Sequence, residues 1–226
     1  MKLKFIFLLF CSLFLFTSCI EIFDDLTIHN DGTGTFKYNV NLSSSKLKIN
    51  SILALDSLNG YKVPTIEHIK SEIVRIKSKF EAKEGISNVT IESNFVDFIF
   101  KVKCDFTDVN SLQLAIKDII SEENLFKNGE DLSHNWISWE GFKLTRDIPE
   151  INLKKTKDLT PNEIELLTQG KYTSITRFDR AVEKFDNPSA KLSASKMAIM
   201  LQTNTYSLLQ NAKLLENTIY LSPLKN

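Results

Sequence analysis

Residues 96–106 read VDFIFKVKCDF, and this stretch decides the fold because apolar and polar side chains alternate along it. One side of the extended chain carries Val96, Phe98, Phe100, Val102, Cys104 and Phe106. The charged residues of the other side are Asp97, Lys101, Lys103 and Asp105. Because successive side chains of a strand point to opposite faces, the pattern predicts a β-strand with one buried face. The Cys104 thiol is expected in the core, where it acts as a small apolar group.

Helical patterns lie on both sides of this strand. Upstream, Pro64 and Thr65 precede a run whose apolar residues are three and four positions apart. These residues are Ile66, Ile69, Ile73, Ile76 and Phe80. Downstream, Thr107 or Asp108 is placed to cap a second helix. The core side of that helix carries Val109, Leu112, Ile116, Ile119 and Ile120. Between the first helix and the strand, Ser93 and Asn94 predict a turn.

A β-hairpin is predicted earlier in the chain. Leu26 and Ile28 alternate with polar residues before HNDGTG at residues 29–34. A second alternation follows, in Phe36, Tyr38, Val40 and Leu42. An Asn/Asp/Gly cluster between two such runs is typical of a hairpin turn. A phosphate-binding loop would need a helix after its glycines, and here a strand pattern follows.

The remaining elements complete an α+β pattern, with antiparallel sheets and helices packed on one face. Residues 149–161 read as a linker, and TPNE at residues 160–163 is a capping box with Pro at the first helical position. Short strands and one helix follow. We therefore expect an α+β domain over residues 26–148 and a C-terminal α+β region over residues 162–226, which either stands alone or completes the same sheet.

The start of the predicted domain resembles a known family. DLTI at residues 25–28, followed by DGTGTF at residues 31–36, is similar to the beginning of the LppM-type domain of bacterial lipoproteins. The resemblance extends over roughly residues 21–144. It implies an envelope protein, and lipid-headgroup binding has been proposed for some members. It brings no catalytic residues.

The N-terminus has the pattern of a secretory signal peptide. Lys2 and Lys4 form a positive start, and residues 5–16 are apolar except for Cys11 and Ser12. A dozen helical residues reach about 18 Å, which is less than the hydrocarbon thickness of a bilayer. This segment is therefore predicted to be a signal peptide rather than a transmembrane anchor.

The signal peptide ends in Thr17-Ser18-Cys19, which resembles a relaxed lipobox of Bacteroidota. The resemblance implies cleavage between Ser18 and Cys19, transfer of a diacylglyceryl group to the Cys19 thiol, and N-acylation with a chain such as palmitate. We expect residues 1–18 to leave and residues 19–25 to form an acidic tether with solvated carboxylates. The alternative is a plain signal peptide cut before an unmodified Cys. Lipidation predicts a cell-envelope location, in the outer membrane, either on its periplasmic face or at the cell surface.

Composition argues against several classes of function. Lys+Arg and Asp+Glu each number 28, so there is no basic excess for nucleic-acid binding. Three Cys and three His provide few metal ligands, and HExxH, GxSxG and CxxC do not occur. We therefore predict no metal and no cofactor, and we expect His29, His68 and His134 at the surface.

These features favour a non-enzymatic, membrane-anchored binding or interaction module. Its partner would be the membrane through Cys19, together with an unidentified protein, lipid or glycan. Trp136, Trp139 and Phe142 are the candidate ligand surface, with core packing as the alternative. Two other hypotheses stay open. One is an envelope hydrolase whose site forms only on folding, and the other is a carrier of a lipid or hydrophobic ligand, which requires an apolar cavity.

Overall fold

The structure, a computed structural model, describes residues 20–58, 60–122, 132, 134–148 and 159–224. The predicted signal peptide, its cleavage after Ser18 and the lipidation of Cys19 lie outside the described residues. Most of the predicted linker 149–161 also lies outside them.

The described residues form thirteen strands and five α-helices. The strands are β1 (Glu21–Ile28), β2 (Gly34–Asn41), β3 (Ser57–Leu58), β4 (Tyr61–Lys62), β5 (Ile86–Asn94), β6 (Ile99–Phe106), β7 (Ile137–Trp139), β8 (Lys143–Arg146), β9 (Lys171–Phe178), β10 (Val182–Phe185), β11 (Lys191–Leu192), β12 (Ala198–Asn204) and β13 (Asn217–Leu221). The helices are α1 (Lys46–Leu53), α2 (Ile66–Glu81), α3 (Val109–Glu122), α4 (Pro161–Gln169) and α5 (Thr205–Gln210). Two 3-10 turns, Ser43–Ser45 and Ala212–Leu215, complete the order.

The strands form an α+β fold, as predicted. A seven-stranded sheet has the order β11-β12-β9-β1-β2-β6-β5, and a four-stranded sheet has the order β10-β13-β8-β7. Neighbouring strands are antiparallel except for β1 and β9, which pair in parallel. Because β9 lies directly beside β1, the C-terminal region belongs to the same sheet as the N-terminal hairpin.

The predicted hairpin is confirmed as β1–β2, and its turn depends on two glycines. Gly32 has φ +89°, a left-handed conformation that glycine adopts without steric cost. The β1–β2 register ends on Gly34, paired with Ile28. A Cβ on Gly34 would lie 2.0 Å from the Thr27 carbonyl oxygen and 2.4 Å from the Phe106 ring, so only glycine fits where β6 closes on the hairpin.

The predicted helix starts are also confirmed. The Thr65 side chain accepts from the backbone N–H of His68, and Asp108, the second of the two candidate caps, accepts from the backbone N–H of Ser111 at 2.8 Å. Thr160 and Glu163 form the reciprocal capping box at α4. Each cap provides acceptors for N–H groups that have no partner within the helix.

Two sequence predictions about strand boundaries are wrong. The turn expected at Ser93 and Asn94 lies later, because β5 continues through Asn94 and residues 95–98 make the turn. Phe98 adopts φ +53° there and is buried, so its apolar character reflects burial within a turn rather than a strand position.

The predicted acidic tether is the second error. Residues 21–25 are part of β1, and the Ile20 carbonyl already accepts a hydrogen bond from the Lys171 N–H at 2.7 Å. Asp24 and Asp25 are buried rather than solvated. The reason is the central position of β1, which has β2 on one side and β9 on the other.

The two faces of the seven-stranded sheet differ in character. Its inner face, which carries Leu26, Ile28, Cys104, Phe106 and Phe178, joins one core with α2, α3 and the four-stranded sheet. Burial raises the pKa of the Cys104 thiol to about 11, with Asp105 adding to the effect. The outer face is polar, and the Nε of Arg177 lies 3.0 Å from both carboxylate oxygens of Asp25.

Candidate functional site

A cavity of about 390 Å³ lies between the inner face of the seven-stranded sheet and α3. Most of its wall is apolar. The seven-stranded sheet contributes Leu26 and Phe36, and α3 contributes Leu112, Ile116 and Ile120. The remaining apolar residues belong to the four-stranded sheet or flank its strands β7 and β8, namely Trp136, Ile137 and Ile148. Cavities of this size with a mainly apolar wall are typical of sites that hold small hydrophobic molecules.

A buried polar cluster forms one part of the wall, centred on Asp24. The Tyr172 hydroxyl donates to Oδ2 of Asp24, and the Ser174 hydroxyl donates to Oδ1 at 2.7 Å. Arg146 donates from Nη1 to the Ser174 oxygen at 2.5 Å and from Nη2 to Oδ2 of Asp24 at 3.4 Å. The cluster therefore joins β1, β8 and β9, the strands that meet at this side of the cavity.

The electrostatics of this cluster keep its charges balanced. Burial raises the pKa of Tyr172, and the Asp24 carboxylate raises it further, so the phenol stays protonated. Burial is the largest single effect on Arg146 and opposes its charge, but Asp24 and Tyr172 together leave the pKa of the guanidinium above its usual value. A buried Asp24–Arg146 ion pair thus stands beside neutral hydroxyl groups.

Tyr38 brings a second phenol to the cavity wall. It is the register partner of Asp24 across β1 and β2, and its ring stacks on Phe36 with 6.4 Å between centroids. Burial, followed by the nearby Asp24, raises its pKa to about 12. Within the described part of the chain the Tyr38 hydroxyl has no hydrogen-bond partner, so it can donate to, or accept from, a molecule in the cavity.

The side of the cavity at Trp136 is held by α3. The Gln113 carbonyl oxygen accepts from the backbone N–H of Trp136 at 2.5 Å and of Ile137 at 3.1 Å. Lys117 donates to the His134 carbonyl and lies 5.4 Å from the centroid of the Trp136 ring, a cation–π contact. Burial lowers the pKa of Lys117.

The three aromatic residues predicted as a ligand surface have three different environments. Trp136 lines the cavity. Trp139 instead stacks on Phe178, with centroids 6.2 Å apart, and packs against the core. Phe142 is 54% exposed in the β7–β8 turn. Among the described residues, these side chains are not brought together around one pocket.

The histidines lie at separate places. His29 lies 3.1 Å from a carboxylate oxygen of Asp179, and His134 lies 3.1 Å from Oδ2 of Asp147. His68 is exposed in the first turn of α2. None of the three lines the cavity described above. The described part of the chain holds no cluster of three or more His, Cys, Asp or Glu residues arranged for a metal ion. Its helices are also too short or too polar to cross a membrane.

Sequence reasoning missed the polar cluster. One local signal for Asp24 existed, because Ile22, Asp24, Leu26 and Ile28 alternate, which puts a carboxylate on an otherwise apolar face. The other members had no such signal. Arg146 and Ser174 follow Asp24 by 122 and 150 residues, and only strand pairing joins them.

Comparisons with known proteins add one structural neighbour. No protein-family model matches the chain, and no curated protein gives a significant match. Among solved structures, the chain is similar to the folded domain of LppM from Mycobacterium tuberculosis, determined by NMR. The identity is 11%, the match covers 94% of this chain and 96% of that chain, and the TM-score is 0.41. This neighbour has the same name as the family that residues 25–36 resemble.

Proposed function

We propose that the protein is a lipid-anchored lipoprotein of the bacterial cell envelope that binds a hydrophobic ligand between its sheet and α3, without catalysis. The observation that carries the proposal is the apolar cavity of about 390 Å³ with one polar cluster in its wall. A carrier of a hydrophobic molecule requires such a cavity, and a solid core would have removed that hypothesis.

The polar cluster limits the chemistry of the ligand. Asp24 and Arg146 neutralise each other, so a charged headgroup would enter without a counter-ion and would lose its hydration at high cost. An uncharged group such as a hydroxyl or an ester carbonyl can instead bond to the Tyr38 hydroxyl. The proposed ligand is therefore an apolar chain or ring system with one uncharged polar group.

A binding role is favoured over hydrolysis by where the candidate groups lie. His29 and His134 are each engaged with a surface carboxylate, and Asp24 accepts three hydrogen bonds that hold it in place. A general base must reach the proton it removes, within about 3 Å or through one water. The arrangement around Asp24 serves packing and orientation instead.

Binding is tested with N-phenyl-1-naphthylamine, an uncharged apolar fluorophore that emits strongly in a dry site. The wild-type protein is expected to bind it saturably. Ile116→Trp places an indole ring in the space that the probe would occupy and is expected to weaken binding about tenfold, which is about 1.4 kcal/mol. Leu114→Trp is the matched control, because Leu114 lies on the exposed side of the same helix. Circular dichroism checks that both variants fold. Equal affinities in the two variants would contradict binding at this cavity.

The anchor is proposed from the lipobox ending at Cys19, and its resemblance to Bacteroidota sequences favours the outer membrane. Cells fed an alkyne-tagged fatty acid are expected to label the wild-type protein and to leave Cys19→Ala unlabelled. Cys11→Ala, within the predicted signal peptide, is the control that keeps its label. Label that persists in Cys19→Ala would remove the anchor from the proposal.

A further inference from the structure

The strand β1 begins two residues after the proposed lipid attachment at Cys19. Cys19 is bonded to Ile20, and adjacent Cα atoms are about 3.8 Å apart. Ile20 is already held in the sheet by the hydrogen bond from Lys171, and β1 starts at Glu21. A lipid on Cys19 therefore has no flexible tether between it and the folded domain.

One end of the seven-stranded sheet must then lie against the bilayer. We call it the anchor end; it is formed by residues paired across neighbouring strands, namely Glu21, Asn41, Ile99, Lys171 and Asn204. The opposite, far end contains Ile28, Gly34, Phe106 and Phe178. A strand of eight residues rises about 26 Å, so the two ends differ clearly in their distance from a membrane.

Exposed apolar side chains stand at the anchor end. Leu47 in α1 is 85% exposed, and Val96 in the β5–β6 turn is 68% exposed. The start of α1 lies close to the β5–β6 turn, because the Lys46 Nζ lies 3.1 Å from an Asp97 carboxylate oxygen. Apolar side chains flanked by lysine are typical of surfaces that enter the headgroup region of a bilayer.

The cavity lies toward the same end. β6 finishes at the far end, and α3 follows it, running back so that Ile120 in its last turn approaches the anchor end. Among the wall residues on the sheet, Asp24 lies three residues from Glu21 in β1 and Tyr172 directly follows Lys171 in β9. The cavity wall therefore reaches the anchor end through Tyr172.

We propose that the anchor end docks on the phospholipid bilayer, with Leu47 and Val96 in its interface and the cavity behind it. This inference rests on the proposed lipidation of Cys19. It makes the bilayer the immediate source or destination of the cavity's hydrophobic ligand, since such a molecule would cross little water on its way.

Depth-dependent quenching tests the orientation. The full-length lipoprotein, in a Cys104→Ala background, receives one cysteine at position 47 or 96, or at the far-end control positions 142 or 197. Phe142 and Met197 are exposed, and both lie near the end of β9 at Phe178. Each variant is labelled with an environment-sensitive fluorophore and reconstituted into phosphatidylcholine vesicles that carry a bromine-labelled acyl chain.

The expected result is at least about threefold stronger quenching at positions 47 and 96 than at 142 and 197, because interfacial side chains sit only about 5–10 Å deep. Equal quenching at all four positions on vesicle-bound protein would overturn the orientation and leave the anchor intact. Protein that does not float with the vesicles would remove the anchor and the orientation with it, while binding of N-phenyl-1-naphthylamine tests the cavity separately.

Discussion

Removing Arg146 tests whether the Asp24 cluster is a balanced unit. Arg146→Met keeps the length and apolar stem of the side chain but leaves the Asp24 carboxylate without its counter-ion. The side chains of Arg146 and Asp24 are 20% and 4% exposed. Breaking a buried pair by removing one partner costs about 3–5 kcal/mol. We expect Arg146→Met to lower the free energy of unfolding by about 3 kcal/mol, near the lower limit of that range. The reason is that the Nη2–Oδ2 distance is 3.4 Å and that Tyr172 and Ser174 also donate hydrogen bonds to Asp24.

A double-mutant cycle separates the pair from its surroundings. Asp24→Asn removes the charge that Arg146 balances. The double variant Asp24→Asn, Arg146→Met is therefore expected to lose about 2 kcal/mol less unfolding free energy than the two single variants lose in sum. The free energy of unfolding is measured by urea titration, followed by tryptophan fluorescence. Arg177→Met is the control, because Arg177 pairs with Asp25 on the outer face at 47% exposure, where such pairs contribute about 1 kcal/mol or less.

A buried ion pair at Asp24 is refuted if Arg146→Met lowers the free energy of unfolding by no more than Arg177→Met does. It is also refuted if the coupling between positions 24 and 146 is below about 0.5 kcal/mol, the usual limit of additivity for independent sites. Either result would mean that Asp24 is stabilised by its hydroxyl partners alone.

Three further predictions follow from the packing and the pKa shifts. Gly34→Ala is expected to lower the free energy of unfolding by about 2 kcal/mol, because its Cβ would meet the Thr27 carbonyl and the Phe106 ring; an unchanged urea midpoint would contradict this. The Cys104 thiol has its pKa raised to about 11 and is expected to react with a maleimide at pH 7.5 only when urea opens the core. Rapid labelling of the native protein would show that the core is not closed around Cys104. Hydrogen bonds from Thr35 and Asn88 lower the pKa of Asp105 below its ordinary 3.8, so the ionised carboxylate stabilises the fold above that pH and loses this effect as the pH falls through its lower folded pKa. In Asp105→Asn, the free energy of unfolding is therefore expected to decline less between about pH 5 and pH 2. An unaltered decline would refute this role of Asp105.

The parts of the fold that local patterns determine were predictable. The β1–β2 hairpin, the alternation of Phe100 to Phe106 and the caps of α2, α3 and α4 depend on residues only a few positions apart. Periodicity and hydrogen-bonding groups at the helix starts are sufficient to find them. The α+β class follows from their order.

Features set by pairing between distant segments were not predictable. Nothing local shows that β9 lies parallel to β1, yet that pairing buries Asp24 and Asp25 and converts the expected tether into a central strand. The same pairing brings Tyr172 and Ser174 to Asp24. The strand was predicted to include Phe98 because this residue continues the apolar alternation. Phe98 in fact lies in the turn before β6, and its side chain is buried there.

The tryptophans offer the most direct test of ligand binding in the cavity. The chain has two, and only Trp136 lines the cavity, whereas Trp139 packs on Phe178. Each becomes the sole reporter in Trp139→Phe or Trp136→Phe protein. Titration with a bromine-bearing long-chain alcohol is predicted to quench Trp136 saturably and to leave Trp139 nearly unchanged, since bromine quenches only at close range. Equal quenching of both tryptophans, or saturable quenching of Trp139 alone, would contradict a hydrophobic ligand site between the sheet and α3.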